Sequence, residues 1–215
     1  MPLHFTPKEQ AEQLRKPHGE GAESIAAYMK ALNETLYAHV LKMLPLSPQT
    51  QMLEIGYGEG LMPEAIAAEN SGISYTGLDF SEEMLKMARA KNIPEATFLL
   101  GEAAQMPFQE NQFDVCFAIN VLYFWENPKR ELAEIQRVLK PGGMLLFGYR
   151  PKSFMQAIPF TEFGFSLYET TEAEALLAEC GFGNITTETE YEPNRLIAGK
   201  LQPMQNAVTR AQKAI

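Results

Sequence analysis

Short apolar strands alternate with helices between residues 51 and 149, and this alternation constrains the fold more than any other feature. Strands are predicted at 52–55, 74–78, 97–100, 113–119 and 144–149, with helices at 64–69, after Ser81 and at 128–139. The stretch 113–119 is almost continuously apolar, which is typical of a strand buried on both faces. Strands and helices in this order predict an α/β fold with a parallel sheet covered by helices on both faces.

The regions on either side of this frame have different patterns. From Ser24 to Met43, apolar residues recur at three- and four-residue steps, which predicts a helix within an N-terminal helical cap over residues 1–48. The main domain is expected at 49–202. Within it, segment 150–170 holds five aromatic residues without a regular period, and we expect this segment and residues 8–44 to act together as a lid.

The C-terminal part of the chain predicts a helix followed by a hairpin. Thr171 and Glu174 have the spacing of a capping box, so a helix is expected from Thr171 to Cys180. Two strands near 184–191 and 195–201 flank a short link, which favours an antiparallel hairpin. Residues 203–215 are expected to form a C-terminal tail, either a short helix or a frayed end.

Composition limits the partners and the compartment. The chain has 18 Lys and Arg residues against 27 Asp and Glu residues, a net charge of −9, so a nucleic-acid partner is not expected. No stretch approaches the ~20 apolar residues of a membrane span. The N-terminus lacks a signal-peptide layout, and two distant cysteines give neither a disulfide framework nor a metal-ligand spacing. We therefore expect a cytoplasmic protein without membrane partner or metal site, and its oligomeric state stays open.

The first predicted strand runs directly into a glycine-rich turn, Leu53-Glu54-Ile55-Gly56-Tyr57-Gly58-Glu59-Gly60. Glycines allow a sharp turn and let a ligand approach the backbone closely. The dinucleotide fingerprint needs a third glycine at the sixth position, where this chain has Leu61. A carboxylate at Glu54 suits a cation better than a pyrophosphate. A plain structural turn is the alternative interpretation.

Two further acids follow the next two predicted strands. Asp79 ends the second strand, at a distance from the glycine turn where an acid binds ribose hydroxyls in nucleotide-binding folds, and Glu102 follows the third strand. The carboxyl ends of parallel strands meet at one edge of a sheet, so these acids and Glu54 should converge. They suggest a ligand with a ribose, an adenine amine and a positive charge, but no phosphate.

These motifs resemble the class I S-adenosylmethionine-dependent methyltransferases. The resemblance covers about residues 50–150, through Glu54–Gly60, Leu78–Ser81, Gly101–Ala103, Phe113–Val115 and Arg137–Gly143. It implies a Rossmann-like, doubly wound sheet of seven strands in the order 3-2-1-4-5-7-6, with strand 7 antiparallel. It also implies S-adenosyl-L-methionine as cofactor and methyl transfer as the activity.

Each matching position carries an expected role from the family. The glycine turn would line the methionine part of the cofactor, and Glu54 would lie near its sulfonium and amino-acid end. Asp79 would hold the ribose hydroxyls. Phe80 would pack on adenine, Glu102 with Ala103 would read the adenine edge, and Asn120 would lie beside the transferred methyl group. The expected cofactor-binding residues are Glu54, Gly56, Tyr57, Gly58, Gly60, Asp79, Phe80, Glu102, Ala103 and Asn120.

The expected reaction needs few catalytic groups, because the sulfonium already activates the methyl group and the enzyme mainly aligns the acceptor in line with it. A general base is needed only for a protonated acceptor. The candidates are His18, Tyr28 and Tyr123, with Tyr149 also considered. We expect His18, Tyr28 and Tyr149 to face a space covered by the lid, although surface exposure or core packing would also explain each of them.

The acceptor is expected to be a small, partly apolar molecule. Methyltransferases that act on amino groups of nucleic acids carry a proline-containing motif after strand four, and this chain has Asn120-Val121-Leu122-Tyr123 at the matching place. No Pro-Cys nucleophile is present there either. Three alternatives remain: a non-catalytic cofactor-binding protein or regulatory subunit, a nicotinamide dehydrogenase, and an enzyme transferring an aminopropyl group. Thermal shifts with S-adenosylhomocysteine and with NADH separate the dehydrogenase from the others. The attacking atom stays open.

Overall fold

A computed structural model describes residues 5–69, 72–197 and 200–215. Within these residues the strands form one seven-stranded sheet in the order β3-β2-β1-β4-β5-β7-β6. The strands are β1 (Gln51–Ile55), β2 (Ser74–Asp79), β3 (Ala96–Leu100), β4 (Phe113–Ile119), β5 (Leu139–Tyr149), β6 (Phe182–Ile197) and β7 (Lys200–Lys213). The order predicted from the family resemblance is confirmed.

The first five strands are parallel, and β7 is antiparallel to both of its neighbours, as predicted. In the parallel part, β1, β2, β3 and β4 all end at the same edge of the sheet. Ile55 pairs with Leu78 and with Ala118, and Asp79 pairs with Leu100. This register brings the segments that follow the four strands together, which fixes the position of the site described below.

Helices cover both faces of the sheet. They are α1 (Pro7–Arg15), α2 (Ala22–Met43), α3 (Leu61–Glu69), α4 (Glu82–Ala90), α5 (Pro128–Val138), α6 (Lys152–Met155) and α7 (Thr170–Glu179). Three single 3₁₀ turns lie at Gly19–Gly21, Leu122–Phe124 and Pro159–Glu162. None of the helices in the described residues is long and apolar enough to cross a membrane.

Alternating strand residues divide the core into two layers. Met52 packs with side chains of α2, α3 and α4, whereas Leu53 packs with side chains of α5 and α7. Because neighbouring strand residues point to opposite faces, each parallel strand contributes to both layers. Cys116 and Phe117 divide in the same way, and both are fully buried. This explains why 113–119 is apolar without interruption.

The N-terminal cap contains a helix that the periodicity of 24–43 did not predict. Helix α1 begins after Thr6, whose hydroxyl accepts from the N–H of Glu9 while the Glu9 carboxylate accepts from the N–H of Thr6. Pro7 occupies the first helical position, where it leaves no donor unpaired. The capping box Thr6-x-x-Glu9 is the signal in the sequence that marks this helix.

The expectation of a C-terminal tail is wrong. Residues 203–213 belong to β7, which lies between β5 and β6 rather than at the edge of the sheet. The proposed link at 192–194 lies inside β6, where the register shifts between Glu192 and Arg195. A shift of this kind accommodates Pro193, which has no N–H for a regular ladder. The strand bounds of 184–191 and 195–201 are corrected accordingly.

Two other boundaries also differ from the sequence-based expectation. The capping box of α7 is formed by Glu169 and Glu172, so the helix begins at Thr170 and not at Thr171. Strand β5 begins at Leu139 rather than at residue 144, because Leu139 pairs with Phe113 before an irregularity in the ladder. Neither change moves the carboxyl edge of the sheet.

Candidate functional site

A cavity of about 900 Å³ opens at the edge where β1, β2, β3 and β4 end. Helices α1 and α2 and the aromatic segment 150–170 supply further walls. Most of the residues expected from the sequence line it: Glu54, Gly56, Tyr57, Gly58, Asp79, Phe80, Glu102, Ala103, Asn120, Tyr28 and Tyr123. The convergence inferred from the strand ends is therefore seen in the structure.

Glu54 lies near the end of β1 and is 2% exposed. The hydroxyl of Tyr75 on β2 donates a hydrogen bond to its Oε2 atom. Burial raises the pKa of Glu54 to about 8, the Tyr75 hydrogen bond opposes this rise, and Asp79 adds to it. A buried carboxyl of this kind gains most from a cationic ligand, because a positive charge offsets the cost of ionising it.

The three glycines of the turn have different surroundings. All three have positive φ, between 55° and 76°. A Cβ atom on Gly56 would lie 2.4 Å from Val121, whereas one on Gly58 would meet no atom within 4 Å. Gly58 therefore faces the open cavity. Gly60 is buried against Ala88 and Phe98 and does not line the cavity, so the structure gives it a packing role, and its contact with the cofactor stays a prediction.

Asp79 connects the end of β2 to the glycine turn. Its Oδ2 atom accepts from the N–H of Gly58 at 3.0 Å, and its Oδ1 atom accepts from the N–H of Ser81 at 2.9 Å. The residue is 7% exposed, and burial raises its pKa although these backbone donors oppose the rise. Each carboxylate oxygen has two acceptor positions, so the carboxylate can accept further hydrogen bonds from a ligand in the cavity.

The connection between α1 and α2 lies over the loop after β2. The hydroxyl of Ser81 donates to the carbonyl of Pro17 at 2.7 Å, and the Lys16 ammonium lies 5.1 Å from the centre of the Phe80 ring. Glu126, after β4, forms an ion pair with Arg15 at 2.7 Å. The N-terminal cap is thus joined to the sheet edge on two sides of the cavity.

Asn120 and Tyr123 form a connected pair between β4 and β5. Asn120 has φ of 56°, a conformation that asparagine adopts more readily than most residues. The Tyr123 hydroxyl accepts from the N–H of Arg150 and lies 3.1 Å from the Arg150 carbonyl and 3.3 Å from Asn120 Oδ1. Burial also raises the pKa of this hydroxyl. These contacts suit Tyr123 to positioning Asn120 more than to accepting a proton.

The other catalytic candidates have different positions. Tyr28 lines the cavity and is 41% exposed. His18 is exposed and does not line the cavity; its ring contacts the carbonyl of Lys16 and the side chain of Gln13. Tyr149 is buried away from the cavity, and its hydroxyl contacts Thr209 at 3.0 Å. The expectation that His18 and Tyr149 face the covered space is wrong.

One wall of the cavity is aromatic. Phe165 lies 4.7 Å from Phe124, 5.5 Å from Phe160 and 5.8 Å from Tyr123, measured between ring centres. Phe160 and Phe165 come from segment 150–170, which has no regular period, so their clustering with Phe124 and Tyr123 is not apparent from the sequence. Phe154 and Met155 of α6 extend the same wall. The cavity therefore has an acidic part at the sheet edge and an apolar part beneath the lid segment.

Sequence reasoning missed several polar residues of the cavity. Asn33 and Tyr37 line it from α2, where their i, i+4 spacing places them on one face. Arg150, just after β5, is 2% exposed, donates to the carbonyl of Leu32 at 2.8 Å and pairs with Glu192 at 3.1 Å. The polar positions among the apolar residues of α2 were the available signal. No sequence signal marked Arg150, because its partner Glu192 lies 42 residues away on β6.

Comparison with known proteins gives a family match in the central part of the chain. Residues 53–147 match the model of a methyltransferase domain. Over 98 residues the chain is 35% identical to the phthiotriol/phenolphthiotriol dimycocerosates methyltransferase 1 of Mycobacterium ulcerans. That alignment covers 45% of this chain, and the chain spans only 36% of the relative's length.

Solved structures share the fold over almost the whole chain. A putative methyltransferase in complex with the Haloferax volcanii Trm112 methyltransferase activator superimposes with a TM-score of 0.78 at 18% identity, covering 98% of this chain and 100% of that one. A Haemonchus contortus phosphoethanolamine N-methyltransferase 2 in complex with S-adenosyl-L-methionine superimposes with a TM-score of 0.72 at 17% identity. The superposition covers 99% of this chain and 61% of that one. This likeness shows that the chain shares their fold, and the domain match lies in the part of the chain that carries the motifs.

Proposed function

We propose that this chain, which carries a methyltransferase domain with the class I S-adenosylmethionine-dependent fold, transfers a methyl group from S-adenosyl-L-methionine to a small, partly apolar acceptor. One observation carries the proposal. A single cavity at the sheet edge joins an acidic part, suited to a cationic nucleoside, to an aromatic part suited to an apolar molecule. The two parts together match the two molecules that a methyl transfer must bring into contact.

The acidic part fits the cofactor. Gly58 has room for a ligand where a side chain would otherwise stand, and buried Glu54 favours a nearby positive charge. Asp79 is held by backbone donors at a position from which its carboxylate can accept from ribose hydroxyls. The bound cofactor would supply an activated methyl group. The residues of this chain would hold it, exclude water and orient the acceptor, and orientation alone contributes about 7–11 kcal/mol in favourable cases.

The aromatic part favours an acceptor with a ring or an aliphatic chain. Its walls bury several phenylalanine rings, and each Å² of apolar surface removed from water contributes about 25 cal/mol. Arg150, a buried cation of the cavity, already pairs with Glu192, so its charge is balanced within the protein. The mycobacterial relative is named a phthiotriol/phenolphthiotriol dimycocerosates methyltransferase, and this name supports an apolar acceptor for this chain as well.

Label transfer tests the proposed function. The chain is incubated with methyl-labelled S-adenosylmethionine and the organic-soluble fraction of a cell extract, and products are followed by mass spectrometry. We expect the label to appear in one or a few small molecules with the wild-type chain. A cofactor that binds without any transfer of label would instead favour the non-catalytic alternative.

Two glycine substitutions provide a matched control for this experiment. Gly58→Val and Gly181→Val both place a branched side chain at a positive φ, with nothing closer than 3.9 Å to the new Cβ. They carry a similar backbone strain, but only Gly58 faces the cavity. We expect label transfer to be lost in Gly58→Val and retained in Gly181→Val. Loss in both variants, or in neither, contradicts the assignment of the cavity.

A further inference from the structure

Glu131 is a buried carboxylate in the cavity to which neither the sequence nor the proposed function assigns a role. It lies in the first turn of α5, lines the cavity and is 8% exposed. Its Oε2 atom is buried and has no hydrogen-bond partner among the described residues. A buried acceptor without a donor costs about 1–3 kcal/mol, so a ligand that supplies an N–H or O–H would be stabilised here.

The packing of α5 shows which part of the cavity Glu131 faces. One turn further along the helix, Glu134 accepts from the N–H of Met106 at 2.7 Å, and Arg137 donates to the Met106 and Phe108 carbonyls at 3.0 and 2.7 Å. The helix is therefore fixed against the loop that follows β3. Because α5 begins at the carboxyl edge of the sheet, its first turn lies at the same edge as the start of that loop, and Glu131 and Glu102 both line the cavity there.

Glu131 and Glu102 differ in their exposure to water. The side chain of Glu102, the residue expected to read the adenine edge, is exposed, whereas Glu131 is buried. An exposed carboxylate exchanges a ligand hydrogen bond for one with water at little net gain. A buried one discriminates more strongly between a ligand that supplies a donor and one that does not. Glu131 is therefore better suited to recognise a hydrogen-bond donor on a ligand than Glu102, the residue that the sequence indicated.

The surrounding charges define the chemistry of that donor. Burial raises the pKa of Glu131, its own backbone N–H and Arg130 oppose the rise, and the nearby acids Glu126 and Glu102 add to it. A second anion, such as a phosphate or a carboxylate, would be repelled by these acids. The adenine amino group of the proposed cofactor supplies an N–H donor and carries no negative charge.

We propose that Glu131 is a specificity-determining residue that accepts a hydrogen bond from the exocyclic amino group of the cofactor's adenine. The inference rests on the proposed function, because it takes the nucleoside part of the cofactor to lie between the loops after β2 and β3. It adds to that function a residue of α5 that distinguishes adenine from purines with a carbonyl at the same position.

Calorimetric titrations of the full chain test the proposal with two ligands, S-adenosylhomocysteine and S-inosylhomocysteine, in which a carbonyl replaces the amino group. We expect the wild-type chain to prefer the adenosyl ligand by about tenfold or more. Glu131→Leu removes the acceptor, and Glu131→Gln offers an amide donor to the inosine carbonyl. We therefore expect both variants to narrow the preference by about tenfold. Glu179→Gln removes a charge that pairs with Lys129 on the exposed side of α5 and should keep the wild-type ratio.

The ratio of the two affinities separates this proposal from a purely structural role. If Glu131 only stabilises the start of α5, both ligands lose affinity equally and the ratio stays unchanged, which overturns the proposal. A wild-type chain that binds both ligands equally also overturns it. A wild-type chain that binds neither ligand contradicts the proposed function itself, so the two failures are distinguishable.

Discussion

Single carboxylates in this protein owe their roles to which end of a strand they occupy. Asp79 lies at the carboxyl end of β2, inside the cavity, and accepts from Gly58 and Ser81. Asp114 lies near the opposite end of β4, where it accepts from the N–H of Gln51 at 2.9 Å and pairs with Lys140 at 2.7 Å. The two residues have the same chemistry and a similar number of partners, so they form a natural comparison.

We expect Asp79→Ala to weaken the binding of S-adenosylhomocysteine far more than Asp114→Ala does. Hydrogen bonds to a charged group contribute about 1.5–3 kcal/mol, which corresponds to a loss of about 10- to 100-fold. Asp114→Ala should lower stability without a comparable loss of affinity. Calorimetry on both folded variants measures the difference, and unchanged affinity in Asp79→Ala would remove this residue from the site.

Burial of Glu54 makes the stability of the ligand-free protein depend on pH. Its pKa rises from an ordinary carboxyl value of 4.5 to about 8 in the folded state. Between these values the folded state holds the proton more tightly than the unfolded state, so the contribution of Glu54 to stability falls as pH rises.

We expect Glu54→Gln to gain stability relative to the wild type as pH is raised from about 4.5 to 8, by up to about 1.4 kcal/mol per pH unit. Urea unfolding at several pH values measures this difference. A parallel pH profile for Glu54→Gln and the wild type would show that the carboxyl is not buried in this way.

At the scale of elements, two segments outside the parallel frame cover the cavity. Helix α1 packs against the 3₁₀ turn Pro159–Glu162 of the aromatic segment, and the connection after α1 contacts the loop at Ser81. These segments depend on each other and on a few contacts at the sheet edge. A bound ligand beneath them would add further contacts, which is the usual basis of closure over an active site.

Hydrogen exchange tests whether these segments respond to the ligand. With S-adenosylhomocysteine bound, we expect amides in Pro7–Lys16 and in 150–170 to gain protection together with the turn Glu54–Gly60. Amides of β7, which lie inside the sheet, should stay unchanged and provide the reference. If the turn gains protection and neither covering segment does, the acceptor must be sought around Tyr123 and Trp125 without a closing lid.

The position of β7 makes the last segment of the chain essential to the sheet. Ala207 and Ala211 are fully buried, and the strand pairs with Met144–Tyr149 of β5 on one side and with β6 on the other. Removing residues 203–215 would leave the pairing edge of β5 exposed and most of β6 without its neighbour. We expect this truncation to abolish cooperative thermal unfolding, whereas removal of Ala214 and Ile215 alone should change the melting temperature little. A folded 1–202 fragment would contradict this topology.

Sequence patterns predicted the parallel half of the sheet more completely than the antiparallel half. Strand β4 is apolar throughout because both of its faces are covered, and a glycine turn marks the end of β1. In β7 the buried positions include Asn206 and Thr209, whose partners are Glu192 and Tyr149. Because buried polar residues with partners across the sheet interrupt the apolar pattern of a strand, the sequence predicted a tail here instead of β7.

The same reason explains which parts of the site were found. Residues at the carboxyl end of a strand could be placed at the sheet edge from topology alone, as Glu54 and Asp79 were. Contributions from other elements depend on packing: Glu131 reaches the cavity because α5 is fixed to the loop after β3, and Arg150 because β6 supplies Glu192. The position of His18 was predicted wrongly because hydrogen bonds with Gln13, five residues earlier in the cap, fix both its ring and its backbone N–H.

At the scale of the whole molecule, one sheet edge supports both parts of the proposed reaction. The central claim is that the acidic part of the cavity holds S-adenosyl-L-methionine. Calorimetric titration of the wild-type chain with S-adenosylhomocysteine, with NADH as the comparison ligand, tests it most directly. We expect one S-adenosylhomocysteine to bind per chain, in the micromolar range or tighter, and no heat of binding with NADH. Saturable binding of NADH with none of S-adenosylhomocysteine would contradict the claim.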